Sequence, residues 1–279
     1  MQLTTEHKRQ LIGWFCIVFY VLAVFKWLNG MFLYQTQPFI FNLRFDLVTW
    51  NLMQTGLHQW LLAKPFAFII FDIVFYSMPL IYWFASRVNS KAGTVVAVVL
   101  LIVNWVYIQC YTLYPTNSIE SYTAWLLFPL LFLTANLRNF YFLLHGLRYF
   151  FLFFFASAGI WKLVQYGAFN TEQMTGVLLF QHKEFLTSSP GTWYSSFTYW
   201  LINHSTVGYL LYLAGTVIEL AFVVGFFIRK YDRWLVGGFL LFLCFNVSIM
   251  RIHYWEMTPF LLTLIFSKHT LPDERRYKL

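Results

Sequence analysis

Charged residues are scarce in this chain of 279 residues. Asp, Glu, Lys and Arg make up only 11%, whereas hydrophobic residues make up 59% and aromatic residues 23%. A soluble domain carries about a quarter charged residues, so the composition excludes an ordinary water-soluble protein. It predicts an integral membrane protein whose main partner is the lipid bilayer. The net charge of +8 does not indicate nucleic-acid binding, because the side of the membrane on which positive residues lie matters more than their sum.

The chain has few cysteines and no common nucleotide-binding or catalytic motif. The three cysteines, Cys16, Cys110 and Cys244, each lie within an apolar segment and form no Cys-x-x-Cys pair. Nothing therefore indicates a disulfide framework, a zinc site or a redox pair, and we expect three buried apolar thiols. Walker, Rossmann, Gly-x-Ser-x-Gly and Asp-x-Asp sugar-transfer motifs are missing, so phosphoryl transfer and dinucleotide binding have no support. The histidines match no metal-binding spacing, and we predict no metal.

Long apolar runs are abundant. A membrane-spanning helix needs about 20 apolar residues, and the sequence predicts an all-α, polytopic helical bundle with about eight spans, of which the fourth and the last two are short. The first run is too long for a signal peptide and has no small-residue cleavage site, so we expect it to be retained. The segment 46–63 is apolar but interrupted by polar residues, which indicates a re-entrant or interfacial helix. The predicted spans are 11–34, 65–85, 93–114, 120–135, 140–163, 206–228, 234–250 and 254–267.

The distribution of positive residues predicts the orientation. With a cytoplasmic N-terminus, the cytoplasmic segments hold 12 of the 19 Lys and Arg residues, the outer segments hold four, and three lie in spans. This asymmetry follows the positive-inside rule, and it predicts that both termini are cytoplasmic in a multi-pass protein of the cell (inner) membrane. The two long connections, at about 35–64 and 164–205, then lie outside the cell. We interpret residues 1–279 as a single membrane domain.

Five charged residues lie well within the predicted spans. At 1.5 Å per residue, Lys26 lies about 12 Å and Asp72 about 10 Å from the outer ends of consecutive spans, which predicts a Lys26–Asp72 ion pair. Arg148 and Glu219 lie about 12 and 14 Å from the inner face, which predicts a second pair. Pairing is expected because an unpaired charge in hydrocarbon is costly.

Lys162 is the remaining charge, and it has no obvious acidic partner within the spans. It can extend to the outer interface as long basic side chains do. Alternatively, low dielectric disfavours its charged form, and a neutral amine can act as a general base or nucleophile. A small-residue patch, Ala156 to Gly159, precedes it. Such a thin helix lets another backbone or a flat ligand approach closely.

The run RYFFLFFFASAGIWKL resembles the signature helix of vitamin K-dependent gamma-carboxylase and its bacterial relatives, the horizontally transferred transmembrane domain (HTTM) family. Ala158, Gly159, Lys162 and Leu163 match the family's Ala-Gly-aliphatic-x-Lys-Leu pattern. The later stretch TVIELAFVVGFFIRKYDRW is similar to the segment that carries a glutamate in these proteins, with Glu219 in that position. The wider DoxX-like families share a similar lysine helix and a later glutamate, and several act in quinone-linked electron transfer.

The resemblance implies a membrane site on the external side that takes a quinol of the vitamin K or menaquinol type. In the carboxylase, the matching lysine is thought to deprotonate the hydroquinone, so Lys162 and Glu219 are implied catalytic residues. His253 is our preferred further catalytic residue, because its depth suggests a position near Lys162. Trp161 and Tyr166 are the aromatic residues expected to bind the quinol beside Gly159, and Tyr166 shares the face of Lys162 if the helix continues.

Three functions remain open from the sequence. The first is an enzyme, carboxylase- or epoxidase-like or an oxidoreductase, that uses Lys162 as a base in quinol-linked oxidation or carboxylation. The second is a DoxX-like quinone-binding or electron-transfer subunit that serves a redox or peptide partner protein. The third is a non-catalytic membrane maturation factor in which Lys162 only reaches the interface. The carboxylase's large lumenal region that holds its propeptide has no counterpart before Leu279, so we do not expect carboxylation of propeptide-bearing proteins.

Overall fold

The computed structural model describes residues 2–36, 47–57, 59–60, 64–112 and 122–270. In these ranges the chain is helical, apart from an isolated parallel bridge between Gln2 and Thr270. The predicted all-α class is therefore confirmed. The chain divides into two compact units, and the second is inserted within the first: unit 1 comprises Met1–Leu147 and Tyr254–Leu279, and unit 2 comprises Arg148–His253. The interpretation of residues 1–279 as one domain stays a prediction.

The helices follow the predicted apolar runs closely. Helix α6 runs across the boundary between the units. Unit 1 contains α1 (Thr5–Leu28), α2 (Leu47–Gln54), α3 (Pro65–Val88), α4 (Ser90–Tyr111), α5 (Thr123–Leu127, continued by a 3-10 segment Phe128–Leu133), the start of α6 (Leu137–Val164), and α11 (Pro259–Phe266). Unit 2 contains the rest of α6, α7 (Gln173–Ser188), α8 (Trp193–Asn203), α9 (Ser205–Phe227), and α10 (Asp232–Phe245, continued by a π-helical segment Asn246–Met250).

Six helices in the described ranges are long and apolar enough to cross a membrane. They are α1, α3, α4, α6, α9 and the segment that contains α10. They correspond to six of the eight predicted spans. The other two predicted spans form the shorter apolar helices Thr123–Leu133 and Trp255–Phe266, which extend only about 20 Å at 1.5 Å per α-helical residue and 2.0 Å per 3-10 residue. Because the hydrocarbon core is about 30 Å thick, neither helix is long enough to cross it alone.

The surface of α1 shows how these helices suit a bilayer. Trp14, Ile17, Val21 and Val24 are exposed at helical spacing on one side of α1, whereas Phe15, Phe19 and Leu22 are buried on the other. A continuous exposed apolar stripe is unfavourable in water but favourable in lipid. The cysteine prediction needs one correction: Cys16 and Cys110 are buried, but Cys244 is exposed, because it lies on the outward side of α10.

The region 164–205, predicted as a long outer connection, is folded into helices. Met174, Leu178, His182 and Leu186 are buried at a spacing of four residues along α7, which gives this helix one inward face. Helix α8 begins at the N-cap Thr192, whose side chain accepts a hydrogen bond from the backbone N–H of Ser195. The region 46–63 contains α2, while His58 lies outside the described residues.

Helices α1 and α3 are joined by a polar contact at a proline. Pro79 lies inside α3, and proline disrupts the hydrogen bonds of a helix interior. The Tyr20 hydroxyl of α1 donates to the Tyr76 carbonyl at 2.8 Å and accepts from the Leu80 N–H at 3.2 Å. Tyr20 therefore bridges two backbone groups that an undistorted helix would pair directly.

Candidate functional site

Lys162 and Glu219 form an ion pair between α6 and α9. The Lys162 Nζ donates a hydrogen bond to Oε1 of Glu219 at 2.8 Å and lies at the same distance from Oε2. The lysine side chain is 27% exposed and the glutamate side chain is 5% exposed. The prediction that Lys162 has no acidic partner is therefore wrong, and so is the predicted Arg148–Glu219 pair.

Gly159 makes this pairing possible. A Cβ atom at Gly159 would lie 3.0 Å from the Leu220 backbone nitrogen and 3.1 Å from Cβ of Glu219. These distances are so short that only glycine lets α6 and α9 approach this closely. The small-residue patch therefore admits a neighbouring helix, and that helix brings Glu219 to Lys162. A role for Gly159 in cofactor binding stays a prediction.

Two further features define the chemistry of the pair. The Lys162 Nζ lies 5.2 Å from the centre of the Tyr212 ring, within range of a cation–π interaction. Within the described part of the chain, Oε2 of Glu219 has no donor in hydrogen-bonding geometry. A buried carboxylate oxygen normally accepts hydrogen bonds, so Oε2 retains the capacity to accept one more.

The other predicted site residues are Tyr166, Trp161 and His253. Helix α6 ends at Val164, and Tyr166 has a left-handed backbone with φ of 59°, so the condition under which Tyr166 would share the helix face of Lys162 is not met. Tyr166 is 75% exposed and Trp161 is 59% exposed, so both rings are available to lipid or to a lipid-soluble ligand. His253 is half-buried, and its proximity to Lys162 stays a prediction.

Arg148 pairs with Asp232 instead of Glu219. Arg148 Nε donates to Oδ2 at 2.9 Å and Nη2 donates to Oδ1 at 2.6 Å, and Nη2 also donates to the Gly225 carbonyl at 2.7 Å. Both side chains are completely buried. Asp232 lies in the connection 229–233 between two predicted spans, so depth along the spans does not identify it.

Lys26 pairs with Glu256, a residue close to the short last helix. The Nζ lies 2.6 Å from Oε1 of Glu256 and donates to the Tyr122 hydroxyl at 2.6 Å. It also lies 4.7 Å from the centres of the Tyr111 and Tyr122 rings. The side chains of Lys26 and Glu256 are 3% and 4% exposed. The predicted Lys26–Asp72 pair is therefore wrong.

Asp72 is held by hydrogen bonds in place of a cation. Its Oδ1 accepts from the Tyr107 hydroxyl at 2.5 Å and from the Leu33 N–H at 3.2 Å, and its Oδ2 accepts from the Tyr34 N–H at 3.0 Å. Three donors satisfy a buried carboxylate without a neighbouring positive charge. Asp72, on α3, thus connects the segment that follows α1 with α4.

The π-helical end of α10 is held by side chains from α7 and α8. The Ile249 carbonyl accepts from the Tyr194 hydroxyl at 2.6 Å and lies 3.3 Å from His182 Nε2. The guanidinium of Arg251, a residue with φ of 52°, lies 3.9 Å from the centre of the Tyr194 ring. Burial lowers the pKa of His182, against the opposing effect of the Ile249 carbonyl, and burial raises the pKa of Tyr194.

The lowered pKa of His182 predicts a pH-dependent stability. Above pH 6.5, the ordinary pKa of histidine, His182 is neutral in both the folded and unfolded states, and the stabilisation is complete. Below it, the unfolded chain binds the proton more readily, so the unfolding free energy falls with pH until the folded-state pKa is passed. Thermal unfolding in detergent between pH 5 and 7.5 measures this. His182→Gln should make the unfolding temperature less dependent on pH, whereas His204→Gln, at an exposed position, should not. Equal pH profiles of wild type and both variants would contradict the prediction.

No cluster of three or more His, Cys, Asp or Glu side chains able to hold a metal ion occurs in the described ranges. Comparisons of the chain with protein-family models, with curated proteins and with solved structures find no match. The resemblance of the α6 and α9 segments to the carboxylase family therefore stays a prediction.

Proposed function

We propose that this multi-pass membrane protein binds a quinol beside the Lys162–Glu219 pair and accepts a proton from its hydroxyl group. The proton transfer would begin a quinol-linked oxidation or carboxylation at the extracytoplasmic face. The observation that carries the proposal is a buried carboxylate in ion-pair contact with a partly exposed ammonium group, whose Oε2 accepts no hydrogen bond from the described part of the chain.

The chemistry of the two side chains suits such a ligand. A bound quinol supplies a hydroxyl proton and two electrons. Oε2 of Glu219 can accept that proton, and the Lys162 ammonium stabilises the oxygen that becomes negative because the two charges attract in a low-dielectric site. Tyr212 borders the ammonium and Trp161 offers an exposed ring on α6, and aromatic rings of this kind stack on flat ligands.

The pair can hold the proton on either residue. If Glu219 is the acceptor, Lys162 remains charged throughout and acts as an electrostatic partner. If Lys162 first gives its proton to Glu219, the neutral amine becomes the base, as the family resemblance implies. Because the two groups are in direct contact, the pair binds one additional proton in both cases.

Quinol binding to purified protein in nanodiscs tests the proposal. Wild-type protein should bind a menaquinol analogue, and Lys162→Ala and Glu219→Gln should each weaken binding by about tenfold or more, the loss of one charge-assisted hydrogen bond. Lys183→Ala, which removes an exposed lysine of α7 in the same unit, is the matched control and should bind as wild type. No binding by wild type, or equal binding by all four proteins, would contradict the proposal.

Turnover separates the enzyme from the DoxX-like alternative. Oxidation of bound quinol by the purified protein in the presence of oxygen would support an enzyme. Binding of the same affinity without oxidation would support a quinone-binding subunit that passes electrons to a partner protein. Lys162→Arg, which keeps the charge but cannot readily become neutral, should retain binding in both cases and should lose turnover only if the lysine amine is the base.

A further inference from the structure

A basic cavity lies at one end of unit 1, well removed in sequence from Lys162 and Glu219. Its volume is about 500 Å³, and its walls come from the start of α1, from the tight turn between α3 and α4, and from the connection between α5 and α6. Four positively charged side chains line it: Lys8, Arg9, Arg87 and Lys91.

No carboxylate in the described part of the chain neutralises the positive charge of this cavity. Within the described ranges, none of the four side chains forms an ion pair with a carboxylate. Lys8 instead donates to the Thr134 carbonyl, and the Arg87 guanidinium stacks on the Trp83 ring at 3.7 Å. Glu6 lines the adjoining depression together with Arg9 and Arg87, which still leaves an excess of positive charge. Such a concave cationic surface attracts an anion.

An apolar groove adjoins the basic cavity. The groove has a volume of about 640 Å³ and is lined on α1 from Gly13 to Val24 and on α3 by Leu80 and Trp83. Trp83 lines the groove, the cavity and the depression, so the three are neighbours around one side chain. From Gly13 to Val24 the helix rises about 16 Å, which is close to the thickness of one leaflet of hydrocarbon, about 15 Å.

We propose that the cavity and the groove together form a binding site for one anionic phospholipid. The phosphate would lie among Lys8, Arg9, Arg87 and Lys91, and one acyl chain would lie along α1 and α3 past the Tyr20 bridge. Neither feature alone specifies this ligand. The positive charge of the cavity favours an anion, and the groove fits an alkyl chain of about one leaflet in length. A phospholipid joins the two in a single molecule.

The predicted topology places this site on the cytoplasmic side of the membrane. The four basic residues belong to segments that the positive-inside rule assigns to the cytoplasm. Basic pockets between membrane helices on that side are suited to anionic headgroups, and clustered Lys and Arg near the surface attract them. The proposal does not depend on the function of Lys162.

Lipid binding by the full chain tests this site. Purified protein in neutral detergent should retain phosphatidylglycerol about tenfold better than phosphatidylcholine with the same acyl chains, measured by native mass spectrometry. The double variant Arg87→Gln/Lys91→Gln should remove this preference. Arg138→Gln/Lys230→Gln, which removes two positive charges outside the cavity, is the matched control and should keep it.

A third variant tests the groove separately. Gly13 has no atom within 4 Å of the position of a Cβ, so Gly13→Leu should fill the groove without disturbing the fold. It should weaken phosphatidylglycerol binding at least about fivefold while leaving the affinity for free glycerol phosphate unchanged. Three outcomes would each overturn the proposal. They are equal retention of the two lipids, an equal loss of the lipid preference in both charge variants, and strong binding of glycerol phosphate with no effect of Gly13→Leu on lipid binding. The last outcome would indicate a site for free phosphate esters.

Discussion

Arg148→Met should lower the unfolding free energy by about 3–5 kcal/mol, the loss typical of breaking a fully buried ion pair. The reason is the group that remains. Asp232 is completely buried, and without the guanidinium its carboxylate loses both of its charged hydrogen bonds while the Gly225 carbonyl loses its donor. Equilibrium unfolding of the detergent-solubilised protein by titration with a denaturing detergent measures the change.

A control and a double variant sharpen this test. Arg138→Met removes an exposed arginine from the same helix and should change stability by less than about 0.5 kcal/mol. Arg148→Met/Asp232→Leu removes both charges, so it should recover much of the stability that the single variant loses, because hydrophobic replacement of a buried pair is often close to neutral. A loss below about 1 kcal/mol for Arg148→Met would show that the pair does not stabilise unit 2 in this way.

Lys26→Met should have the second largest effect, of similar size to that of Arg148→Met. It leaves the buried Glu256 carboxylate without its cation, and the Tyr122 hydroxyl without its contact to Nζ. Glu256→Gln should be milder, since an amide can still accept a hydrogen bond from Lys26 but leaves the ammonium less well neutralised. Lys64→Met, at an exposed position in the same unit, is the control for the loss of one lysine.

The three ion pairs should differ in how much they stabilise the protein, and this order tests the assignment of Lys162 to a functional site. Lys162 is 27% exposed, whereas Lys26 and Arg148 are almost or fully buried. Partial exposure screens the pair and reduces its contribution, so Lys162→Met should destabilise the protein less than the other two changes. If Lys162→Met proved the most damaging, its pair would be chiefly structural, and the proposed quinol site would lose its main support.

Sequence alone predicts the helices well and the pairing of their charges poorly. Hydropathy shows that Lys26, Arg148 and Lys162 lie in apolar helices, and length gives their depth at 1.5 Å per residue. Depth says nothing about rotation around a helix axis or about which helices are neighbours. Lys26 and Arg148 consequently have partners other than those predicted, and Lys162 has a partner where none was predicted. Asp232 lies outside the predicted spans, and Glu256 lies at the start of the short last one.

The candidate site was identified from sequence only in part. Lys162 and Glu219 were both singled out by resemblance, but only the close approach at Gly159 shows that they belong together. The helical pattern Met174, Leu178, His182, Leu186 was present in the region 164–205, yet its polar residues favoured a connection over helices. The sequence leaves open whether the helix of Lys162 continues to Tyr166, because a left-handed residue that ends a helix is hard to identify without coordinates.

The insertion of unit 2 within unit 1 has a consequence for biosynthesis. Glu256 follows Lys26 by about 230 residues, so at 5–20 residues per second the lysine is made about 10–50 s before its partner. During that interval the first helix carries an unpaired cation in or near the bilayer. Nascent chains arrested before residue 256 should therefore expose Lys26 to aqueous amine reagents, whereas the full chain, in which the side chain is 3% exposed, should protect it.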